Sequence, residues 1–149
     1  MIDILVGSQM GAAEYVAEQV AETLVQAGYE AKLHLKPELD HLNPSGVWLV
    51  ITSTYGAGDL PDNIQPFADQ LAQDRRDLTT LFYAVITLGD SGYDTFCEAG
   101  RKLAALLSGR GAISLINALE IDAQQAELPE DIALSWLPEL IKVLPKKSG

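Results

Sequence analysis

Cysteine is almost missing from this chain: Cys97 is the single one in 149 residues. That excludes an internal disulfide and fits a reducing compartment. Histidine is nearly as scarce, and His34 and His41 have no metal-ligand spacing; both are expected at the surface, and no metal site is expected. Basic residues are few, 10 Lys and Arg against 21 Asp and Glu, for a formal net charge of -11. A surface of that sign cannot displace counterions from a phosphate backbone, so nucleic-acid binding is excluded. No apolar run approaches the roughly 20 residues that a membrane span requires. No opening segment joins basic residues, an apolar run and a small-residue cleavage site, so no secretion signal is expected and the cytoplasm is the expected location. Repeats, low-complexity tracts and interdomain linkers are also missing, which leaves a single domain over residues 1–149.

What is present is an alternation of strand and helix patterns. Ile2–Val6, Val47–Ile51 and Leu81–Leu88 are apolar and rich in β-branched residues, as buried parallel strands are. Glu30–Leu35 alternates in polarity and reads as a half-exposed edge strand, and Ile113–Ile121 supplies a fifth. Tyr15, Val16, Val20, Leu24 and Val25 recur at helical spacing opposite Glu14, Glu18 and Glu22, and Gly28 closes that helix. Further helices are expected over Ile64–Asp74, from Phe96 through Leu107 to Gly109 or Gly111, and over Ile132–Val143. Trp48 and Trp136 fall on core faces, and Arg75-Arg76 would complement the dipole at the end of the second helix. Five strands alternating with helices imply right-handed crossovers and a parallel sheet covered on both faces. In such sheets ligands bind beyond the carboxyl ends of the strands, where the strand order reverses.

Three unusual loops follow strands one, three and four, and therefore share that rim. The first, Gly7-Ser8-Gln9-Met10-Gly11-Ala12-Ala13-Glu14, leads into a helix N-terminus, where unpaired amides and the helix dipole attract an anion. It lacks the Gly-Lys-Ser/Thr of a nucleoside-triphosphate loop and the glycine spacing of a dinucleotide loop, so a monophosphate fits it best. The second, Ser53-Thr54-Tyr55-Gly56-Ala57-Gly58-Asp59, and the third, Leu88-Gly89-Asp90-Ser91-Gly92-Tyr93-Asp94, each set one tyrosine beside glycines. Two aromatics over one rim suit a planar ring between them, each adding roughly 1 kcal/mol beyond area burial. A flat ring joined to a phosphate is the shape of flavin mononucleotide, FMN.

These three segments, the third extended through Thr95-Phe96-Cys97, resemble the FMN loops of the flavodoxin family, in order and over essentially the whole chain. The likeness is greatest to the FMN domains of diflavin reductases and to the short flavodoxin-like proteins. The resemblance implies a three-layer α/β sandwich with a five-stranded parallel sheet in the order 2-1-3-4-5, flavodoxin being itself a standing example of the switch-point rule. It further implies that Ser8, Gln9, Met10, Gly11, Ala12 and Ala13 wrap the phosphate. Ser53 and Thr54 would lead into Tyr55, which with Tyr93 would flank the ring, and Gly56 would meet ring nitrogen N5. Leu88, Gly89, Asp90, Phe96 and Cys97 would line its pyrimidine side, and Asp122 matches an acidic position near the ribityl chain. Cys97 heads a helix, where a thiolate would be stabilised, and its expected role is packing near the flavin rather than nucleophilic catalysis. Relatives carry Thr at Met10 and a hydroxyl or Asn at Ala12, so looser FMN binding is expected here.

The implied function is a monomeric, single-electron carrier with no substrate chemistry and no catalytic residues. Its donor would be a basic NADPH-dependent flavodoxin reductase and its acceptor a redox enzyme, with iron–sulfur enzymes typical. Asp59 and Asp90 would place negative charge around the ring and disfavour the anionic hydroquinone, and Asp62, Asp94 and Glu98 would form an acidic collar for such partners. A phosphoryl-accepting regulator of the same fold class needs acidic residues where this chain has Val6-Gly7-Ser8 and Thr52-Ser53-Thr54. A flavoenzyme with its own substrate needs an open ring face, which the two tyrosines would block. A flavin-free binding or regulatory module on the same fold is the alternative, supported by Met10 and Ala12.

Overall fold

The computed structural model describes residues 1–8, 11–54, 58–74, 76–92 and 96–145. Among these, six strands and four helices follow one another as β1 (Ile2–Gly7), α1 (Ala12–Gln26), β2 (Ala31–His34), β3 (Val47–Ser53), α2 (Gln65–Gln73), β4 (Phe82–Gly89), α3 (Glu98–Gly109), β5 (Ile113–Ser114), β6 (Leu119–Asp122) and α4 (Pro129–Val143). The sheet runs β2-β1-β3-β4-β5, with β6 also on β4, and every pairing is parallel. The strand order 2-1-3-4-5 is the one that the family resemblance implied.

β1 and β3 are buried along their whole length, and the pleat divides each run between two cores. Ile4, Val6, Leu49, Ile51 and Ile86 face α1 and α4, meeting Val16, Val20, Leu24, Leu137 and Leu140. Leu5, Trp48, Val50 and Val85 face α2 and α3, meeting Phe67, Leu71, Leu103 and Leu107. Trp48 and Phe67 meet edge to face, centroids 5.9 Å apart, and the indole N–H donates to the Asn43 carbonyl.

Several expectations are corrected. The fifth strand is two short pieces: Tyr83 pairs with Ser114 and Ile86 with Leu119, so two extra residues bulge out between them. Tyr15 and Val25 are exposed, and the buried stripe of α1 is Ala13, Val16, Ala17, Val20 and Leu24; these recur at intervals of three and four, which leaves Tyr15 on the glutamate side and Val25 beside the stripe. His34 is not at the surface. Its ring meets the buried Asp3 carboxylate at 2.8 Å, with only 9% of the side chain accessible. Arg76 lies beyond α2 and donates to the carboxylates of Asp74 and Asp40, while Arg75 lies outside the described residues. The last carbonyls of α2 are met instead by Arg110, which donates to Leu71 O, Ala72 O and Asp74 O at 2.9–3.2 Å. Gly28 closes α1 as expected, with the Gly28 and Tyr29 amides donating to Val25 O and Leu24 O.

α3 approaches β4 closely through Gly100, where a Cβ would lie 2.3 Å from Thr87 Cβ. In an exposed helix, Gly→Ala stabilises by about 1 kcal/mol. Here overpacking reverses the sign: Gly100→Ala should lower stability by about 1–3 kcal/mol, read from urea unfolding midpoints.

Candidate functional site

The carboxyl ends of β1, β3 and β4 carry the three loops singled out in the sequence, and that of β6 carries Asp122. Between them lies a cleft of about 230 Å³ lined by Ser53, Thr54, Leu88, Gly89, Ala12 and Ile121, with Ala123 and Pro129 at its side. A larger cavity of about 460 Å³ opens at the opposite edge, around Met1, Gly28, Asn43, Gly46, Phe82 and Leu144. Size favours the second and chemistry the first, because helix N-termini and the strand-order switch lie only on the carboxyl edge. Gln9, Met10, Tyr55, Gly56 and Tyr93 lie outside the described residues.

At the first loop, the Gly11 amide donates to Ser8 Oγ at 2.9 Å and the Tyr15 amide to Gly11 O at 2.9 Å. The first-turn amides of Ala12, Ala13 and Glu14 thus precede the helical ladder, as in any α-helix. The Ser8 hydroxyl, having accepted one amide, can still donate its hydrogen. Gly11 has φ +85, and nothing lies within 4 Å of where its Cβ would be, so this backbone is open to an approaching group. The Ala13 side chain is fully buried on the sheet-facing side of α1, and only its backbone can serve a ligand.

The second loop is fastened at both ends to α3. Thr54 Oγ1 accepts the Ala99 amide at 3.3 Å, and Gly58 O accepts Lys102 Nζ at 2.8 Å. The Thr54 amide also donates to Leu88 O, tying it to β4. Beyond it, the Asn63 carboxamide accepts the Ser8 amide at 2.8 Å and donates to Val6 O and Leu35 O. Neither Lys102 nor Asn63 emerged as a functional residue from the sequence. Asn63 directly precedes the helix expected from Ile64, but its partners are 28 to 57 positions away, where spacing along the chain does not reveal them.

The third loop is tied to the segment after β6. Asp122 accepts the amides of Ser91 and Gln124 at 3.0 Å each, and Asp90 accepts the Gly92 amide and the Gln124 side chain at 2.8 Å. The carboxylates at Asp90 and Asp122 therefore serve as staples between two loops. The Ser91 hydroxyl, followed by the Gln124 and Ser91 amides, holds the Asp122 carboxyl below its ordinary range. Phe96 lies under the Arg101 guanidinium, 6.0 Å from the ring centroid, and Arg101 forms a two-point pair with Glu120.

Cys97 packs as expected, while the helix head does not stabilise its thiolate. It caps α3 in the left-handed region, φ 55, and is fully buried behind Gly89, with its Sγ 3.4 Å from Thr87 O. Burial pushes the thiol up from 9.0 to about 11. Head position alone favours ionisation, but the buried setting outweighs it.

Two outcomes follow. Because the unfolded chain loses the thiol proton first, the stability that Cys97 contributes is complete below pH 9.0 and is lost as the pH rises through about 11. Urea midpoints on either side of that window should fall for the native chain and stay flatter for Cys97→Ser. For Asp122 the sign is opposite: its contribution is present above the ordinary carboxylate range and lost as acid protonates it in the fold. Amide exchange at Ser91 and Gln124 should accelerate on acidification, after correction for intrinsic rates, and in Asp122→Ala already at neutral pH.

Comparison with known proteins agrees with this architecture. A sequence model of the flavodoxin family matches residues 4–136. The chain is 43% identical to Protein MioC of Escherichia coli over 143 residues, spanning 96% of this chain and 97% of that one. It is 36% identical to Flavodoxin YqcA of Escherichia coli over 140 residues, spanning 93% and 94%. Among solved structures, a cysteine-to-alanine mutant of the flavodoxin from Pseudomonas aeruginosa superposes with a TM-score of 0.88 at 37% identity, covering 96% of this chain and 97% of that one. By sequence over most of its length, and by the order of its strands, this chain belongs to the flavodoxin family.

Proposed function

We propose that this chain binds FMN at the carboxyl edge of its sheet and carries electrons singly between a reductase and a redox enzyme. The observation that carries the reading is the meeting, on one edge of a flavodoxin-family fold, of an amide-rich turn and a cleft. The turn comprises Ser8 and the first residues of α1; the cleft lies among Ser53, Thr54, Leu88 and Gly89. The donor set fits the group: open backbone at Gly11, first-turn amides and a hydroxyl hydrogen suit a phosphate, while the partly apolar cleft suits a ring system. FMN, when bound, supplies one-electron chemistry, and the protein supplies binding, orientation and electrostatics.

In this reading Ser8, Gly11, Ala12 and Ala13 hold the phosphate together with Gln9 and Met10. Tyr55 and Tyr93 flank the ring, Gly56 meets N5, and Ser53, Thr54, Leu88, Gly89, Asp90 and Phe96 shape the surroundings. Cys97 acts from behind Gly89, and Asp122 acts by holding the third loop. Exposed Asp59 and Asp62, with Glu98 against Gly58, set negative charge around the edge. They raise the cost of adding further negative charge there and favour a basic partner. A basic NADPH-dependent reductase as donor and an iron–sulfur redox enzyme as acceptor fit that surface, with the carrier a cytoplasmic monomer. A flavin-free binding module is the second reading. Ala12 favours it, because a methyl group borders the cleft at a place where a phosphate would accept a hydroxyl hydrogen.

Titration of the apo protein with FMN should quench flavin fluorescence at one equivalent, and photoreduction should then resolve two separate one-electron steps. Affinity should fall short of subnanomolar, since a missing hydroxyl donor to a charged phosphate costs on the order of 1.5–3 kcal/mol. A subnanomolar dissociation constant by calorimetry contradicts the affinity expectation. No binding at tens of micromolar FMN contradicts the carrier and leaves the module.

A further inference from the structure

We propose that Asn63 is the positioning residue of the anion-binding turn, a role that rests on the FMN reading above and deepens it. Its carboxamide joins three chain segments at the carboxyl edge. Oδ1 accepts the Ser8 amide at 2.8 Å, while Nδ2 donates to Val6 O at 2.6 Å and to Leu35 O at 2.8 Å. One acceptor and two donors are what a primary amide offers, and this network fixes which way it points. Aspartate has no donor for the two carbonyls, and an apolar residue satisfies none of the three.

The group is held rigidly from behind. Ile64 and Gln65 both donate their amides to Pro61 O at 3.1 Å, closing the turn that carries Asn63. The Ile64 side chain is fully buried, and a Cβ on Gly7 would stand 2.9 Å from its Cγ2 and 2.2 Å from Thr52 Oγ1. Asn63 and Ile64 therefore straddle Gly7, the carboxamide bonding the residues on either side and the alkyl group pressing on the middle one. From Ser8 the linkage passes on, because Ser8 Oγ accepts the Gly11 amide at the head of α1. Asn63 thus sets where the Ser8 hydroxyl sits relative to the first-turn amides without itself being a donor to the ligand. The residue also ties the connection between β3 and α2 to the end of β1.

The test compares FMN with riboflavin, which carries the same ring and lacks the phosphate. Full-length native chain, Asn63→Ala and the isosteric Asn63→Asp are titrated with each flavin, and amide exchange is followed at Ser8 and Gly11. The expected result is an FMN affinity lowered about tenfold or more in both variants, the factor that one charge-assisted hydrogen bond carries, with riboflavin affinity changed by less than about twofold. Protection of the Gly11 amide should drop in both variants, and that of Ser8 in Asn63→Ala. Equal loss of both flavins, or unchanged affinity for FMN in variants that fold, overturns the positioning role and leaves the FMN reading intact. Should Asn63→Ala fail to fold, the flavin ratio in the uncharged Asn63→Ser decides, because the carboxylate of Asn63→Asp repels a phosphate by itself. A native chain that binds neither flavin overturns the FMN reading, and the positioning role with it.

Discussion

Parallel pairing is the constraint on which this molecule depends. Once every strand runs the same way, each chain segment that leaves β1, β3, β4 and β6 does so at one edge. Each crossover back then buries a helix against a face. The apolar continuity of β1, β3 and β4 follows from that coverage on both sides, and so does the crowding of loops at the carboxyl edge. Amides that the ladder cannot pair must find partners there, and the edge is correspondingly rich in side-chain bonds to backbone: Asn63 to Ser8, Val6 and Leu35, Thr54 with Ala99, Asp122 with Ser91 and Gln124.

α3 has a special place in that arrangement. It begins immediately after the third loop, its first turns hold both ends of the second, and Gly100 lets it lie almost on β4. Cys97 turns the chain into it in a conformation that costs about 1–2 kcal/mol for a residue with a Cβ. Burial of the side chain in the gap behind Gly89 offsets this cost. The same burial that stabilises the turn suppresses the thiolate, which makes Cys97 a packing residue at the base of the site.

How much of this was legible in the sequence depended on the range of the interaction. Strand and helix positions came from local periodicity, and the loops with them, because glycine clusters after apolar runs are a local signal. The strand order came from the family resemblance. The failures were of two kinds. Tyr15 and Val25 were misplaced because they fall off the stripe that Ala13, Val16, Ala17, Val20 and Leu24 form, and His34 because the buried Asp3 that it meets lies 31 positions away. Arg110, Lys102 and Asn63 were missed because each acts on backbone 28 to 57 positions away, where spacing along the chain carries no information. The bulge between β5 and β6 escaped for a related reason: Ile113–Ile121 has strand composition throughout, and only the register against β4 shows the two surplus residues.

Charge sets a condition on the turn that carries Ser8 and Gly11. A chain of net charge -11 that takes up a phosphate faces an unfavourable field, and residues 7 to 16 contain no lysine or arginine to counter it. Amide dipoles and a hydroxyl must then do what cations do elsewhere, and their effect falls off within about one helical turn. Such a site has an advantage under the proposed function. Cations would neutralise part of the acidic edge, whereas dipoles act on the ligand at contact and leave the field at a Debye length of about 8–10 Å, where a basic partner is sensed, unchanged. Short-range attraction for one anion can thus coexist with long-range attraction for cationic surfaces. The condition is that the dipoles point at one spot, and for Ser8 that direction is set by the carboxamide on the next loop.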